Sequence, residues 1–189
     1  MKKFFDFTAA LFGLIVAAPV IALLAILIRR DSVGGAIFSQ DRIGQDGKLF
    51  HCHKLRTMVA NAPNVPTHFA SNGHITKLGA FLRHTKLDEL PQLWNVLRGE
   101  MSFVGPRPCL PSQTQLIEER RSRGVLTILP GITGLAQVND IDMSNPIRLA
   151  EKDAEYLAAR SFALDLHLIY RTVFQRAGSG DRIRNGIES

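Results

Sequence analysis

Apolar positions run almost unbroken from Phe4 to Ile28, with Asp6 the one charged residue among them. The run is longer than the about 20 residues a helix needs to cross a bilayer. Pro19 falls near its middle, where it removes a backbone hydrogen bond and collides with the preceding turn. Lys2-Lys3 precede the run and Arg29-Arg30 follow it, so both flanks carry the positive charge of a cytoplasmic end. A helix that enters the membrane, bends at Ala18-Pro19 and returns to the same face satisfies both features. A tilted, kinked single span is the alternative. A signal peptide fits poorly, because the run is too long and lacks a small-x-small cleavage site.

Beyond Arg30 the period changes. Ala36 to Gly44 reads as a short extended run, Gln45-Asp46-Gly47 as a turn, and Lys48 to Met58 as the returning strand of a hairpin. Period 2 then puts Phe50, Cys52, Lys54 and Arg56 on one face. Residues 59–76 mix Pro, Asn, Ser and Gly without periodicity and read as a loop, a candidate for substrate choice. Leu78, Phe81 and Leu82 predict a short amphipathic helix, and Leu90, Leu93, Trp94 and Leu97 a second that Gly99 ends. Met101 to Pro111 is proline-rich and reads as irregular. A third helix is expected from Ser112 to Arg123, and turns at Pro130–Gly134. Two more helices follow near 146–160 and 162–176, the first with Pro146 at its first helical position. The second carries Leu164, Leu168, Ile169, Val173 and Phe174 with Arg171 and Arg176 between them, a pattern that suits a membrane surface or the domain core. The tail from Gly178 is polar. The expected fold class is α+β, mainly helical, with a small β-hairpin: a re-entrant helix over 1–30, a catalytic domain over 31–177 and a tail over 178–189.

Composition narrows the partners. The chain has 189 residues, enough for one compact domain with a short appendage. Its net charge of +6 and pI of about 9.7 point to an anionic partner: nucleic acid, anionic lipid or a phosphorylated substrate. A nucleic-acid module would interleave aromatics with its basic residues for stacking. Here there are one Trp and two Tyr, and the Phe residues lie mostly in apolar runs. Two cysteines, Cys52 and Cys109, form no CxxC pair, which suits a reducing cytosolic compartment and no structural zinc.

Chemistry concentrates in Arg83-His84-Thr85-Lys86-Leu87-Asp88-Glu89-Leu90-Pro91-Gln92. Proline is tolerated in the first turn of a helix, so Asp88 and Glu89 belong at or near a helix N-terminus, where backbone N–H groups are unpaired. Phosphate binds readily there. An ionised Asp beside a bound phosphate can act as a covalent nucleophile if a cation offsets the repulsion, and two adjacent carboxylates suit Mg²⁺. Helix capping explains the same two residues without any chemistry. Gly105-Pro106-Arg107-Pro108 fixes an arginine between two prolines, suited to a bidentate phosphate contact. With Arg42, Lys54, Arg56 and Arg83 it could form a cationic cluster around a diphosphate. His51 and His53 form an HxH pair without an evident third ligand and read as structural or surface residues. His84 is a possible proton carrier or a polar helix residue, and Trp94 reads as core.

Five segments together resemble one family, the bacterial sugar transferases, which are monotopic polyprenyl-phosphate phosphoglycosyl transferases. They are Gln40–Gly44, Lys54–Met58, Leu87–Gly99, Met101–Pro108 and Pro130–Asn139. The resemblance implies a re-entrant helix in the bacterial inner membrane and a catalytic domain on its cytoplasmic face. It implies that Asp88 attacks the sugar-bearing phosphate of a UDP-sugar, releasing UMP. Polyprenyl (undecaprenyl) phosphate then takes the phospho-sugar from Asp88. Glu89 would position Mg²⁺ together with Asp88, or deprotonate the lipid phosphate. Arg83, Arg107, Lys54, Arg56 and Arg42 would contact substrate phosphate. The family often breaks its membrane helix at Ser-Pro; here the serine position is Ala18. Asp140–Ser144 resembles small members that use N-acetylated amino-deoxy-sugars.

Overall fold

A computed structural model describes residues 1–59 and 74–174. The apolar N-terminus forms one helix, α1 (Lys2–Asp31), that continues on both sides of Pro19. Its buried residues Asp6, Ala10, Ala17, Leu24 and Ile28 form a single stripe at helical spacing. Small residues let it come close to the domain, and a Cβ on Gly13 would stand 3.5 Å from the Leu93 side chain. The opposite side leaves Phe4, Phe12, Ile15, Val16 and Leu23 more than half exposed. Among the described residues it is the one helix long and apolar enough to cross a membrane.

Both ends of α1 dock onto the same domain. At the start, Lys2 Nζ lies 2.6 Å from Asp165 Oδ2, and buried Asp6 accepts from Ser102 Oγ at 2.8 Å. At the end, the Arg56 guanidinium donates to the carbonyls of Ser32, Val33 and Ile28 at 2.7, 2.8 and 3.3 Å. Ser32 and Val33 lie just past the helix, and Ile28 O also accepts the capping N–H of Ser32, so the cation fixes the turn out of α1 near the negative end of its dipole.

Strands β1 (Ile37–Ile43) and β2 (Leu49–Leu55) form the expected antiparallel hairpin, in register from Ile37 opposite Leu55 to Ile43 opposite Leu49. A 3₁₀ turn at Gln45–Gly47 reverses the chain, with Asp46 and Gly47 both at positive φ (57° and 76°). Asp and Gly tolerate that region where most residues do not. The buried face of β2 carries Phe50 and Cys52, which pack with Ala10, Val96 and Met101. Most of the 59–76 loop lies outside the described residues. Its ends are tied together where Val59 N donates to His74 O at 3.0 Å and Thr76 N to Thr57 O at 3.2 Å.

The remaining helices are α2 (Lys77–Thr85), α3 (Gln92–Leu97), α4 (Thr114–Ser122), α5 (Leu135–Val138), α6 (Pro146–Ala159) and α7 (Phe162–Phe174). Capping explains two starts: Thr76 accepts from Gly79 N, and Asn145 accepts from Arg148 N ahead of Pro146. The expected α+β class, mainly helical with a small hairpin, matches this element set. Two readings need correction. Part of the segment read as irregular is a strand, β3 (Ser102–Val104), which pairs in parallel with β4 (Gly131–Thr133). Three-residue strands are too short for a period-2 pattern, and these pair because glycines let two backbones meet. Trp94, read as core, is 48% exposed, since α3 buries Gln92, Leu93, Asn95 and Val96 instead. In α7, Leu168 and Asp165 are buried while Phe162, Leu166, Tyr170, Val173 and Phe174 are exposed. Val173 and Phe174 therefore lie off the face that packs inward. Arg176 and the tail from Gly178 lie outside the described residues.

Candidate active site

Helix α2 ends where Lys86 takes the left-handed conformation, φ 59°, and its N–H donates to Arg83 O. The reversal feeds a 3₁₀ turn, Leu87–Glu89, and Pro91 then leads into α3. Asp88 and Glu89 therefore stand in the first turn of a helical segment, as Pro91 requires. Leu87 packs against the cluster of Leu24, Ile28, Leu55 and Leu82, which ties this turn to α1 and β2. Asp88 is buried, at 8% exposure.

Glu89 is the hub. Lys54 Nζ from β2 lies 2.9 Å from Glu89 Oε1, and Arg107 Nη2 lies 3.2 Å from the same oxygen. Burial on its own would push this carboxyl up. Lys54 first, then Arg107, more than offset it and hold Glu89 well below the usual carboxylate range. Cys52 sits beside the cluster, within electrostatic reach of Lys54, Arg42, Glu89 and Arg107; burial outweighs the cations and pushes its thiol up. Both cysteines are buried and free. Helix α3 has six residues, too few for a strong macrodipole, so side chains supply most of the positive field.

Separate devices hold each cation. Asn95, fully buried, accepts from His53 N at 3.1 Å and donates to His51 O at 2.7 Å, pinning α3 along β2 and thereby Glu89 to Lys54. Arg107 leaves the end of β3, where Gly105 N donates to Thr133 O and Gly131 N to Pro106 O, each at 2.9 Å. Arg42 donates to Pro108 O at 3.0 Å and to Gln40 Oε1 at 2.7 Å. Arg83 Nε donates to Thr57 Oγ1 at 2.9 Å, and its Nη1 is buried without a hydrogen-bond partner among the described residues. Gly79 lets α2 lie on Thr57, since a Cβ there would stand 2.0 Å from Thr57 O.

The predicted cations thus divide. Lys54 and Arg107 meet at Glu89, Arg42 stands next to them, and Arg83 is held at Thr57 one turn before the acidic pair. Arg56 is elsewhere, on the carbonyls that end α1. Strand β2 stops at Leu55, which is buried, so the alternation that would have placed Arg56 with Lys54 has already ended.

Residues 1–178 match the profile described as "Bacterial sugar transferase". The chain belongs to the bacterial sugar transferase family. Among its relatives, the Komagataeibacter xylinus undecaprenyl-phosphate glucose phosphotransferase is 36% identical over 185 residues, covering 91% of this chain and 35% of that protein. The Escherichia coli K12 UDP-glucose:undecaprenyl-phosphate glucose-1-phosphate transferase is 38% identical over 186 residues, covering 93% and 40%. A Bacillus subtilis 168 protein, provisionally named an undecaprenyl-phosphate N-acetylgalactosaminyl 1-phosphate transferase, is 41% identical over 135 residues, covering 70% and 71%. The chain therefore spans well under half the length of the first two and most of the third.

In this sugar transferase family member the histidines of the hairpin face their cross-strand partners. His51 Nδ1 lies 2.6 Å from Asp41 Oδ1, and His53 Nδ1 lies 2.8 Å from Ser39 Oγ. His84 is exposed. No group of three or more His, Cys, Asp or Glu suited to a metal occurs among the described residues. Asp88 and Glu89 still offer the donor chemistry that Mg²⁺ takes when substrate phosphates complete its shell, one or two carboxylates with no all-protein cage. Sequence reading missed Thr57, Asn95 and Lys86. Asn95 alone carried a signal, as a polar residue at a core position of an apolar helix.

Proposed function

We propose that this chain transfers a sugar-1-phosphate from a UDP-sugar to polyprenyl (undecaprenyl) phosphate. The observation that carries the reading is buried Asp88 beside the part-buried Glu89, with Lys54 and Arg107 converging on Glu89. Such a site holds a carboxylate and a phosphate close together because cations balance both. A carboxylate oxygen of Asp88 attacks the sugar-bearing phosphorus, and the bond to the UMP oxygen breaks, its electron pair leaving with UMP. An oxygen of polyprenyl phosphate then attacks the same phosphorus and displaces Asp88, giving polyprenyl-diphospho-sugar. Lys54 and Arg107 neutralise the diphosphate, with Arg83 and Arg42 extending the cationic wall. Arg56 acts on α1 instead.

Glu89 is a poor base in the free protein, because efficient proton transfer at neutral pH needs a group titrating near 7 and this one is held far below. Its role is to hold Lys54 and Arg107 in place before the substrate arrives. Asp88 and Glu89 would also hold Mg²⁺, which supplies charge neutralisation at the transferring phosphate.

The exposed apolar side of α1 lies in the bilayer, at the cytoplasmic face of the inner membrane. Both ends of α1 bind the one domain, so a spanning arrangement would carry charged parts of that domain through the hydrocarbon. Re-entry with the bend at Ala18-Pro19 avoids this. The donor is an N-acetylated amino-deoxy-sugar, a reading that rests on Asp140–Ser144 and on the name of the Bacillus relative. The test is UMP release from a panel of UDP-sugars, with polyprenyl phosphate and Mg²⁺ each present or omitted. Release with an N-acetylated donor, dependent on Asp88, is expected. Release from UDP-glucose alone would overturn the donor, and none from any donor the activity.

A further inference from the structure

Arg120 of α4 and Asp153 of α6 form an ion pair whose side chains are 2% and 3% exposed. Arg120 Nε and Nη2 lie 2.9 and 2.7 Å from Asp153 Oδ2. Burying two charges gains little over an apolar pair of similar volume, because desolvation offsets most of their attraction. The remaining arm of the guanidinium has another task. Arg120 Nη1 donates to the backbone carbonyl of Arg107 at 2.9 Å. The next two carbonyls are held too, Pro108 O by Arg42 and Cys109 O by Ile43 N at 2.9 Å. Upstream, Gly105 N and Pro106 O are tied to Thr133 and Gly131. Backbone anchors thus bracket the residue that presents its guanidinium to Glu89, and Arg120 acts on the carbonyl of residue 107 itself.

We propose that Arg120 and Asp153 are positioning residues for Arg107: a buried ion pair outside the site that sets the backbone from which the Arg107 guanidinium reaches Glu89 and substrate phosphate. Asp153 orients the fork, with two donors on its oxygen aiming the third at the carbonyl. Lysine at 120 could pair with Asp153 but, with one ammonium and no fork, could not hold both partners in this geometry. The activity readout rests on the transferase reading, whereas the structural readout does not.

The test uses the full chain in lipid nanodiscs and the Arg120→Met/Asp153→Leu double variant, which removes both charges and leaves neither unpaired. Hydrogen exchange should quicken by about tenfold or more at the amides of Gly105, Gly131 and Ile43, whose bonds hold this segment, while Ile117 of α4 and Ala150 of α6 stay protected within their helices. kcat/KM for UMP release should fall by about tenfold or more, but by less than about twofold further when the pair is removed from an Arg107→Met protein, because both changes act through one group. Unchanged exchange at Gly105, Gly131 and Ile43, or losses that multiply in the combined variant, would overturn the proposal. If the double variant does not fold, Arg120→Lys is read by the same two measurements with the same expectations. Should no donor yield UMP, the transferase reading fails, and the exchange comparison alone decides whether the pair positions Arg107.

Discussion

Replacing Gly131 by alanine tests whether backbone contact between β3 and β4 holds the Arg107 segment. Gly131 is not among the residues at positive φ, so conformational freedom is not at issue there. A Cβ at this position would stand 2.1 Å from Gly105 N and 2.4 Å from Thr133 O. Both are backbone atoms and cannot swing aside, so the segment of Gly105 must part from β4 by more than about 1 Å to reach ordinary contact distance, and β4 itself must adjust at Thr133 O. That parting breaks the bonds from Gly105 N to Thr133 O and from Gly131 N to Pro106 O. At about 1 kcal/mol net each, with about 1–3 kcal/mol for overpacking, the expected loss is about 3–5 kcal/mol. A domain stable by about 10 kcal/mol, mid-range for native proteins, stays folded at that cost, with Arg107 displaced from Glu89. Urea unfolding in detergent, followed by far-ultraviolet circular dichroism, gives the stability change, and UMP release gives the functional loss. Gly99→Ala is the control: φ is +71° there and no atom lies within 4 Å, so the cost should be about 1 kcal/mol. A Gly131→Ala protein within about 0.5 kcal/mol of the parent, beyond which surface changes rarely go, would refute the reasoning.

Three further outcomes follow from the same contacts. Glu89→Gln should cost about 1–3 kcal/mol at pH 7, less than a fully buried pair because Lys54 and Arg107 keep 21% and 22% of their side chains exposed. Glu89 titrates lower folded than unfolded, so its stabilisation is complete above its unfolded value of about 4.3 and fades as pH falls below that; urea midpoints of the two proteins should converge on acidification, and a constant gap would contradict the assignment. Arg56→Met should cost about 2–3 kcal/mol and quicken hydrogen exchange around residues 28–33, while UMP release by the folded protein stays within about threefold; loss of turnover without fraying would make Arg56 a substrate contact after all. Single cysteines placed at positions 3 and 30 should both label with a membrane-impermeant reagent from the cytoplasmic side, and labelling from opposite sides would show that α1 spans.

Local chemistry made much of the fold legible. Asp46-Gly47 marked the hairpin turn, Asn145-Pro146 the start of α6, and Pro91 the helical first turn that carries Asp88 and Glu89. What stayed hidden depends on contacts distant in sequence. Nothing near Gly105 or Gly131 announces that they touch, because the cause is steric access between segments 26 residues apart. The burial of Asp6 was equally invisible: an acid in an apolar run reads as a membrane cost until Ser102, 96 residues away, supplies its donor. Arg56 misled because period 2 was extended one step past the end of β2. Trp94 misled because α3 is a short helix whose inward face is set by β2 and α1 rather than by its own apolar stripe.

Intact-protein mass spectrometry of the purified chain, incubated with a UDP-sugar and no lipid acceptor, tests the central claim most directly. Covalent catalysis predicts an added mass equal to one phospho-sugar, mapped to the peptide containing Asp88, formed with stoichiometric UMP, absent from Asp88→Asn and discharged by polyprenyl phosphate. UMP release that requires the acceptor from the start, with no adduct trapped on any time scale, would contradict it and point to direct transfer between the two substrates.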